Sequence, residues 1–246
     1  MATIAVYSLK GGVGKTTLAV NLAWGSATLS SRQTLLWDLD PQAASTFLVS
    51  DSRHKKDAAQ AVFAKDVAPD KLITSTAIDR LDLLAADTSL RGLDHLFFSL
   101  GKRKRLSKLI ETLEKSYDRI ILDCPPGLTE TSEQAMRAAD LILVPVIPSP
   151  LSRRALDDVV AYLDREHGGH APILPVFSMV DRRRMLHKTA LEADPKWPVI
   201  PMASAVEQMA VRRMPVGAFA AKSPAGEAFA ALWIGVERKL SRIKAK

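Results

Sequence analysis

Apolar positions along this chain fall into two kinds of pattern that alternate. Short, nearly continuous apolar runs occupy residues 3–9, 34–38, 81–84, 119–123, 141–146, 173–179 and 198–200. Between them lie stretches with apolar residues at helical spacing, at 15–30, 57–65, 104–115, 130–139, 152–166, 183–193, 205–213 and 224–243. Strand-like runs alternating with helix-like stretches predict βαβ units, hence an α/β fold: a mostly parallel twisted sheet flanked by helices on both faces. Ile-Ile-Leu at 120–122 and Leu-Ile-Leu-Val at 141–144 are apolar throughout, as strands buried on both sides require. There is no internal repeat, low-complexity tract or clear linker, so residues 1–246 are expected to form a single domain. The polar segment 50–57 is the best candidate for an exposed loop.

The first run leads straight into Leu9-Lys10-Gly11-Gly12-Val13-Gly14-Lys15-Thr16-Thr17, and a helical stretch follows. A strand, a glycine loop and a helix N-terminus together suit phosphate. Glycines let backbone N–H groups turn around an anion, and the helix end adds partial positive charge. In such a loop Lys15 reaches the β- and γ-phosphates, Thr16 ligates Mg²⁺ and Thr17 touches the α-phosphate. The strict phosphate-loop pattern has glycine where this chain has Leu9, and a second lysine, Lys10, stands inside the loop.

Two further motifs end later strands: Trp37-Asp38-Leu39-Asp40-Pro41-Gln42, and Ile120-Ile121-Leu122-Asp123-Cys124-Pro125-Pro126. Strand C-termini are where open α/β sheets place ligands. Lys10 to Thr17 resembles the deviant Walker A motif of the ParA/MinD family of P-loop ATPases. The other two resemble that family's switch I and its Walker B with switch II. The resemblance implies an ATP-dependent homodimer with ATP and Mg²⁺ as cofactors, Gly11, Gly12, Val13, Gly14, Lys15, Thr16 and Thr17 forming the phosphate cradle. It implies that Lys10 reaches the phosphates held by the other subunit. Asp40 is expected to orient the attacking water, Asp38 to support Mg²⁺ or Lys15, and Asp123 to hold a water of the metal shell. Asp181 and Pro201 are the candidates for contact with adenine. Cys124 matches a position that is a buried strand end in the family, and no histidine lies near it in sequence to activate it as a nucleophile.

Net charge is +7, and its location matters more than its size. Residues 182–246 carry 13 Lys/Arg against 5 Asp/Glu, whereas residues 1–181 are close to neutral. A basic surface attracts polyanions. The resemblance makes nonspecific DNA the expected partner of this quarter, with Arg182, Arg183, Arg184, Arg212 and Arg213 as candidate contacts. It also implies a ParB-like or cargo-linked activator, slow intrinsic hydrolysis, and a cytoplasmic, nucleoid-associated location. The run 102–105 reads as solvated helix surface. No apolar run is long enough to span a bilayer, and no signal-peptide pattern opens the chain. With the phosphate loop so near residue 1, no N-terminal helix-turn-helix is expected. One cysteine excludes an intrachain disulfide and a cluster needing two cysteines per subunit.

Two other functions fit the same motifs. One is a MinD-like membrane-cycling regulator, because residues 232–243 pair an apolar stripe with basic residues. That stripe is expected instead to pack on the core, so a membrane partner is not expected. The other is an ATP-dependent amidating synthetase, for which no amidotransferase nucleophile constellation is visible.

Overall fold

The computed structural model describes residues 1–50, 58–64, 67–100, 104–166 and 169–244. The loop expected at 50–57 therefore lies, apart from Ser50, outside the described residues, as do Lys102 and Arg103 of the basic run at 102–105. The chain runs β1 (Ala2–Val6), α1 (Lys15–Leu29), β2 (Thr34–Asp38), α2 (Ala44–Val49), α3 (Ala59–Ala64), β3 (Ile73–Ser75), β4 (Leu81–Leu84), α4 (Leu93–Leu100) and α5 (Arg105–Thr112). It continues with β5 (Arg119–Asp123), α6 (Glu130–Ala138), β6 (Leu141–Val146), α7 (Pro150–Glu166), β7 (Ile173–Val180) and α8 (Met185–Ala193). The last elements are β8 (Val199–Pro201), α9 (Ser204–Arg212), α10 (Val216–Ala220) and α11 (Pro224–Lys244).

The strands form one eight-stranded sheet in the order β3-β4-β2-β5-β1-β6-β7-β8. All pairings are parallel except β3 with β4. β3 is absent from the apolar pattern because it is a three-residue edge strand with only partly buried side chains. Helices α2 and α10 are likewise too short for a 3.6-residue period to show.

Alternation along the strands feeds two cores. In β1, Ile4 and Val6 point to one face, and Ala5, with Tyr7 just beyond the strand, to the other. One core gathers Trp37, Phe63, Phe97, Leu109 and Leu163 under α3 to α7. The other gathers Leu18, Leu22, Phe229 and Trp233 between the sheet, α1 and α11. The apolar stripe of α11 packs inward as expected: Leu232, Trp233, Val236 and Leu240 are buried, and the Trp233 indole N–H donates to Ser30 Oγ at 2.8 Å. No helix among the described residues is long and apolar enough to cross a membrane.

Arg105 departs from the solvated reading of its basic run. It is buried, and its guanidinium donates to the carbonyls of Phe63 and Val62, each at 2.9 Å. A guanidinium carries five donors in a fixed fork, so it can close the C-terminal carbonyls of α3 that the helix itself leaves open.

Candidate functional site

Because the sheet is parallel apart from β3, the C-terminal ends of β1, β2, β5, β6, β7 and β8 share one edge. The phosphate loop leaves β1 at the sheet's centre. Its glycines are there for backbone reasons: Gly12 and Gly14 have φ of 69° and 93°, in the left-handed region that L side chains rarely adopt. At Gly14 a Cβ would also come within 2.9 Å of Ser178 Oγ. Gly14 caps α1, so the first N–H groups of that helix face the loop with no side-chain partner at the cap.

The two lysines of the loop stand differently. Lys15 is buried and donates from Nζ to the Lys10 carbonyl at 3.1 Å. Burial lowers its pKa, while Asp123 and Asp40 nearby oppose that shift and favour the ammonium. Lys10 is half-buried, and its Nζ reaches Ser152 Oγ at 3.5 Å, at the start of α7 and away from the cradle.

Asp38 and Asp123 are register partners on the adjacent parallel strands β2 and β5. Both are fully buried. Asp38 accepts from the backbone N–H groups of Asp40 (3.1 Å) and Thr46 (2.9 Å) and from Thr46 Oγ1 (2.8 Å). Both its oxygens are thus committed to the 38–46 loop. Asp123 accepts from Ser45 Oγ at 2.6 Å through one oxygen, and the other, Oδ1, is buried without a partner. Burial pushes both carboxyls up, and the mutual repulsion of two close carboxylates adds to it at Asp38. Nearby Thr16 and Lys15 pull Asp123 back down. Asp40 is half-buried at the loop's start and accepts from Gln42 N–H at 2.9 Å. An unpaired buried carboxylate oxygen beside a threonine hydroxyl is a donor set that fits a hydrated, hard divalent cation.

A small, mostly apolar cavity of about 100 Å³ adjoins the loop, lined in part by Gly14, Thr17, Met179, Pro201, Met202 and Val206. Pro201, a sequence candidate for adenine contact, lines this cavity. Asp181 is not among the lining residues: its carboxylate pairs with the Arg183 guanidinium at 2.9 Å, which holds its pKa down to about 2. Cys124 is buried, its thiol donates to the Leu122 carbonyl at 3.8 Å, and burial pushes its pKa up. That environment opposes a thiolate nucleophile.

Residues 1–169 match the AAA domain family. The sporulation initiation inhibitor protein Soj of Bacillus subtilis is 35% identical over 147 residues, which span 58% of this chain and 57% of Soj. The virulence plasmid ParA family protein pGP5-D of Chlamydia psittaci is 32% identical over 78% of this chain and 74% of its own length. The chain belongs to the ParA/MinD family of P-loop ATPases. The septum site-determining protein MinD from Pyrococcus horikoshii, solved with Mg-ADP, superposes with a TM-score of 0.80 at 24% identity, covering 100% of this chain and 99% of that one. This likeness shows a ParA/MinD fold in which a magnesium nucleotide has been seen.

The candidate arginines of this ParA/MinD chain lie in two groups. Arg182, Arg183 and Arg184 are exposed just ahead of α8, with Arg183 tied to Asp181. Arg212 closes α9, donates to Gln208 Oε1 at 3.2 Å and lies over the Phe219 ring. Arg213 follows it but turns onto α2: its guanidinium lies 5.0 Å from the Phe47 ring and donates to the Phe47 carbonyl at 2.9 Å and to the Ser50 carbonyl. Sequence reading missed Ser45, Thr46 and Ser152. Ser45 and Thr46 follow the Asp38 to Gln42 motif directly, so their hydroxyls were a readable signal. Ser152 meets Lys10 only through folding.

Proposed function

We propose that the chain is an ATP-dependent dimerising ATPase of ParA type. In its ATP state it binds DNA without sequence preference, and a ParB-like or cargo-linked partner stimulates hydrolysis so that a plasmid, chromosome region or protein assembly is partitioned or positioned. The observation that carries this reading is the division of labour between the loop's lysines. Lys15 is buried in the cradle, whereas Lys10 leaves it for the α7 side. A lysine so placed is free to serve phosphates held by a second copy.

In hydrolysis a water oxygen bonds to the γ-phosphorus as the bond to the β–γ bridging oxygen breaks, giving ADP and inorganic phosphate with release of a proton. Such transfer depends mainly on positioning and charge stabilisation. Lys15 and the N–H groups of Gly11 to Thr17 hold the phosphate oxygens. Asp40, near both Lys15 and Asp123, orients the water. Thr16 and Asp123 would hold Mg²⁺, and the ion would supply positive charge to offset that of the triphosphate. Asp38 serves by fixing the loop that carries Asp40. The adenine ring occupies the apolar cavity beside Pro201 and Met202. The exposed arginines ahead of α8, with Arg212 at the end of α9, supply the phosphate contacts to DNA. The ParA family name of pGP5-D, matched over 74% of its own length, supports the ParA-type reading at the level of family.

The test is binding of a labelled nonspecific duplex with ATP, with ADP, and with ATP on Asp40→Ala. Salt-sensitive binding that needs ATP and that the variant retains supports the reading. A protein that binds ATP and no DNA under any of these conditions overturns it.

A further inference from the structure

Arg213 stands outside the mechanism just described, yet its guanidinium reaches a helix distant in the chain. Its guanidinium spans the C-terminal end of α2, donating to the Phe47 and Ser50 carbonyls while stacked on the Phe47 ring. The other end of α2 is anchored in the nucleotide site. Ser45 donates to Asp123, and Thr46 donates to Asp38 through both its backbone N–H and its hydroxyl. The same hydroxyl accepts from Ala86 N–H at 2.9 Å. Helix α2 is six residues long, so its two ends cannot move independently.

Arg213 itself sits in a stiff turn. It is the C-cap of α9 with φ of 52° and ψ of 50°, and Met214 N–H donates back to the Met209 carbonyl. Three residues on, Val216 N–H donates to Asn21 Oδ1 at 2.8 Å. Asn21, buried in α1, donates in turn to the carbonyl of Thr17, the last residue of the phosphate loop, and to Met209 Sδ. The turn that presents Arg212 is thus referenced to the phosphate loop through Asn21 and to the two carboxylates through Arg213 and α2.

We propose that Arg213 is a strut, not a DNA contact: it transmits the position of the 38–46 loop to the basic turn, so that DNA affinity depends on the nucleotide. The proposal rests on the DNA-binding reading above. Its logic is mechanical. Ser45 and Thr46 tie α2 to the two carboxylates, so a ligand that moves Asp38 or Asp123 shifts α2, and its carbonyls, and with them Arg213, move along.

Arg213→Lys separates this role from simple charge. Lysine keeps the positive charge that a phosphate contact needs, but it lacks the planar fork that spans two carbonyls while stacked on a ring. Duplex affinity is measured at fixed salt with saturating ATP and ADP. The wild type binds DNA more tightly with ATP by a factor in the range of roughly 5–150, whereas in Arg213→Lys the two nucleotides give the same affinity. Phe47→Ala, which removes the ring platform, narrows the ratio in the same direction. If Arg213→Lys behaves as wild type while Arg213→Ala weakens binding equally in both states and lowers the salt slope by about one, Arg213 is a phosphate contact and the strut is overturned. Hydrogen exchange over residues 209–216 reads the coupling without DNA. ATP alters it in the wild type and not in Arg213→Lys; an equal response in both overturns the strut. A wild type that binds no DNA in either state while its exchange responds as expected overturns the DNA reading and leaves the coupling standing.

Discussion

At the scale of single residues, the site is dominated by two buried carboxyls that a parallel register forces side by side. Asp38 is pushed up to about 8, chiefly by burial and then by the charge of Asp123. Its unfolded value is about 3.9. A carboxyl with a raised folded pKa contributes stability that is fully present below the unfolded value and is lost as pH rises through the folded one. His187 works with the opposite sign lower down. It is buried and its Nδ1 accepts from Asp181 N–H, so burial lowers its pKa and its protonation opposes folding in acid. In the presence of a chelator, urea unfolding of the wild type should therefore show stability falling as pH rises from about 6.5 to about 8. Asp38→Asn, which has no charge to gain, should lose that fall whatever its absolute stability. A decline of equal slope in the variant would assign the effect to other groups.

At the scale of elements, the helix that carries the phosphate loop is fastened to the C-terminal helices by one buried amide. Asn21 satisfies Val216 N–H and the Thr17 carbonyl from a position 1% exposed. Asn21→Ala leaves the Val216 N–H buried without a partner, at a cost of about 2 kcal/mol. The urea midpoint should fall with the slope unchanged, since the surface exposed on unfolding hardly differs. An unchanged midpoint would mean that the α9–α10 turn finds another acceptor. The strut formed by Arg213 belongs to the same scale. It joins α9 to α2 by side chain to main chain, so its effect depends on geometry more than on charge.

At the scale of the whole molecule, the fold gathers along one sheet edge the phosphate loop, the paired carboxylates, the small apolar cavity and the exposed arginines ahead of α8. Lys10 is the part of that surface suited to a second copy. On an Asp40→Ala background, proposed to bind ATP without hydrolysing it, light scattering should report dimers that disappear when Lys10→Ala is added, with nucleotide still bound. Dimers that persist would leave Lys10 no role across an interface. Basic residues divide at this scale too, because Arg105, read from sequence as solvated surface, and Arg213, read as a candidate DNA contact, both donate to main-chain carbonyls.

The phosphate loop and most of the strands and helices were legible from the sequence alone, and for a local reason; β3, α2, α4 and α10 were not. A cradle built from consecutive backbone N–H groups, and strands buried on both faces, write themselves into contiguous residues. The positions of Asp38, Asp40 and Asp123 were legible as motifs, and so was the inward face of α11. Their partnerships were not. That Asp38 faces Asp123 follows from the register of β2 with β5, which pairs segments distant in the chain. That Ser45 and Thr46 hold those carboxylates, that Lys10 meets Ser152, and that Arg213 bridges to α2 follow from where the helices pack on the sheet. A charged side chain looks the same in a sequence whether it faces water or a helix end; only the packing around it decides which carbonyls or carboxylates it meets.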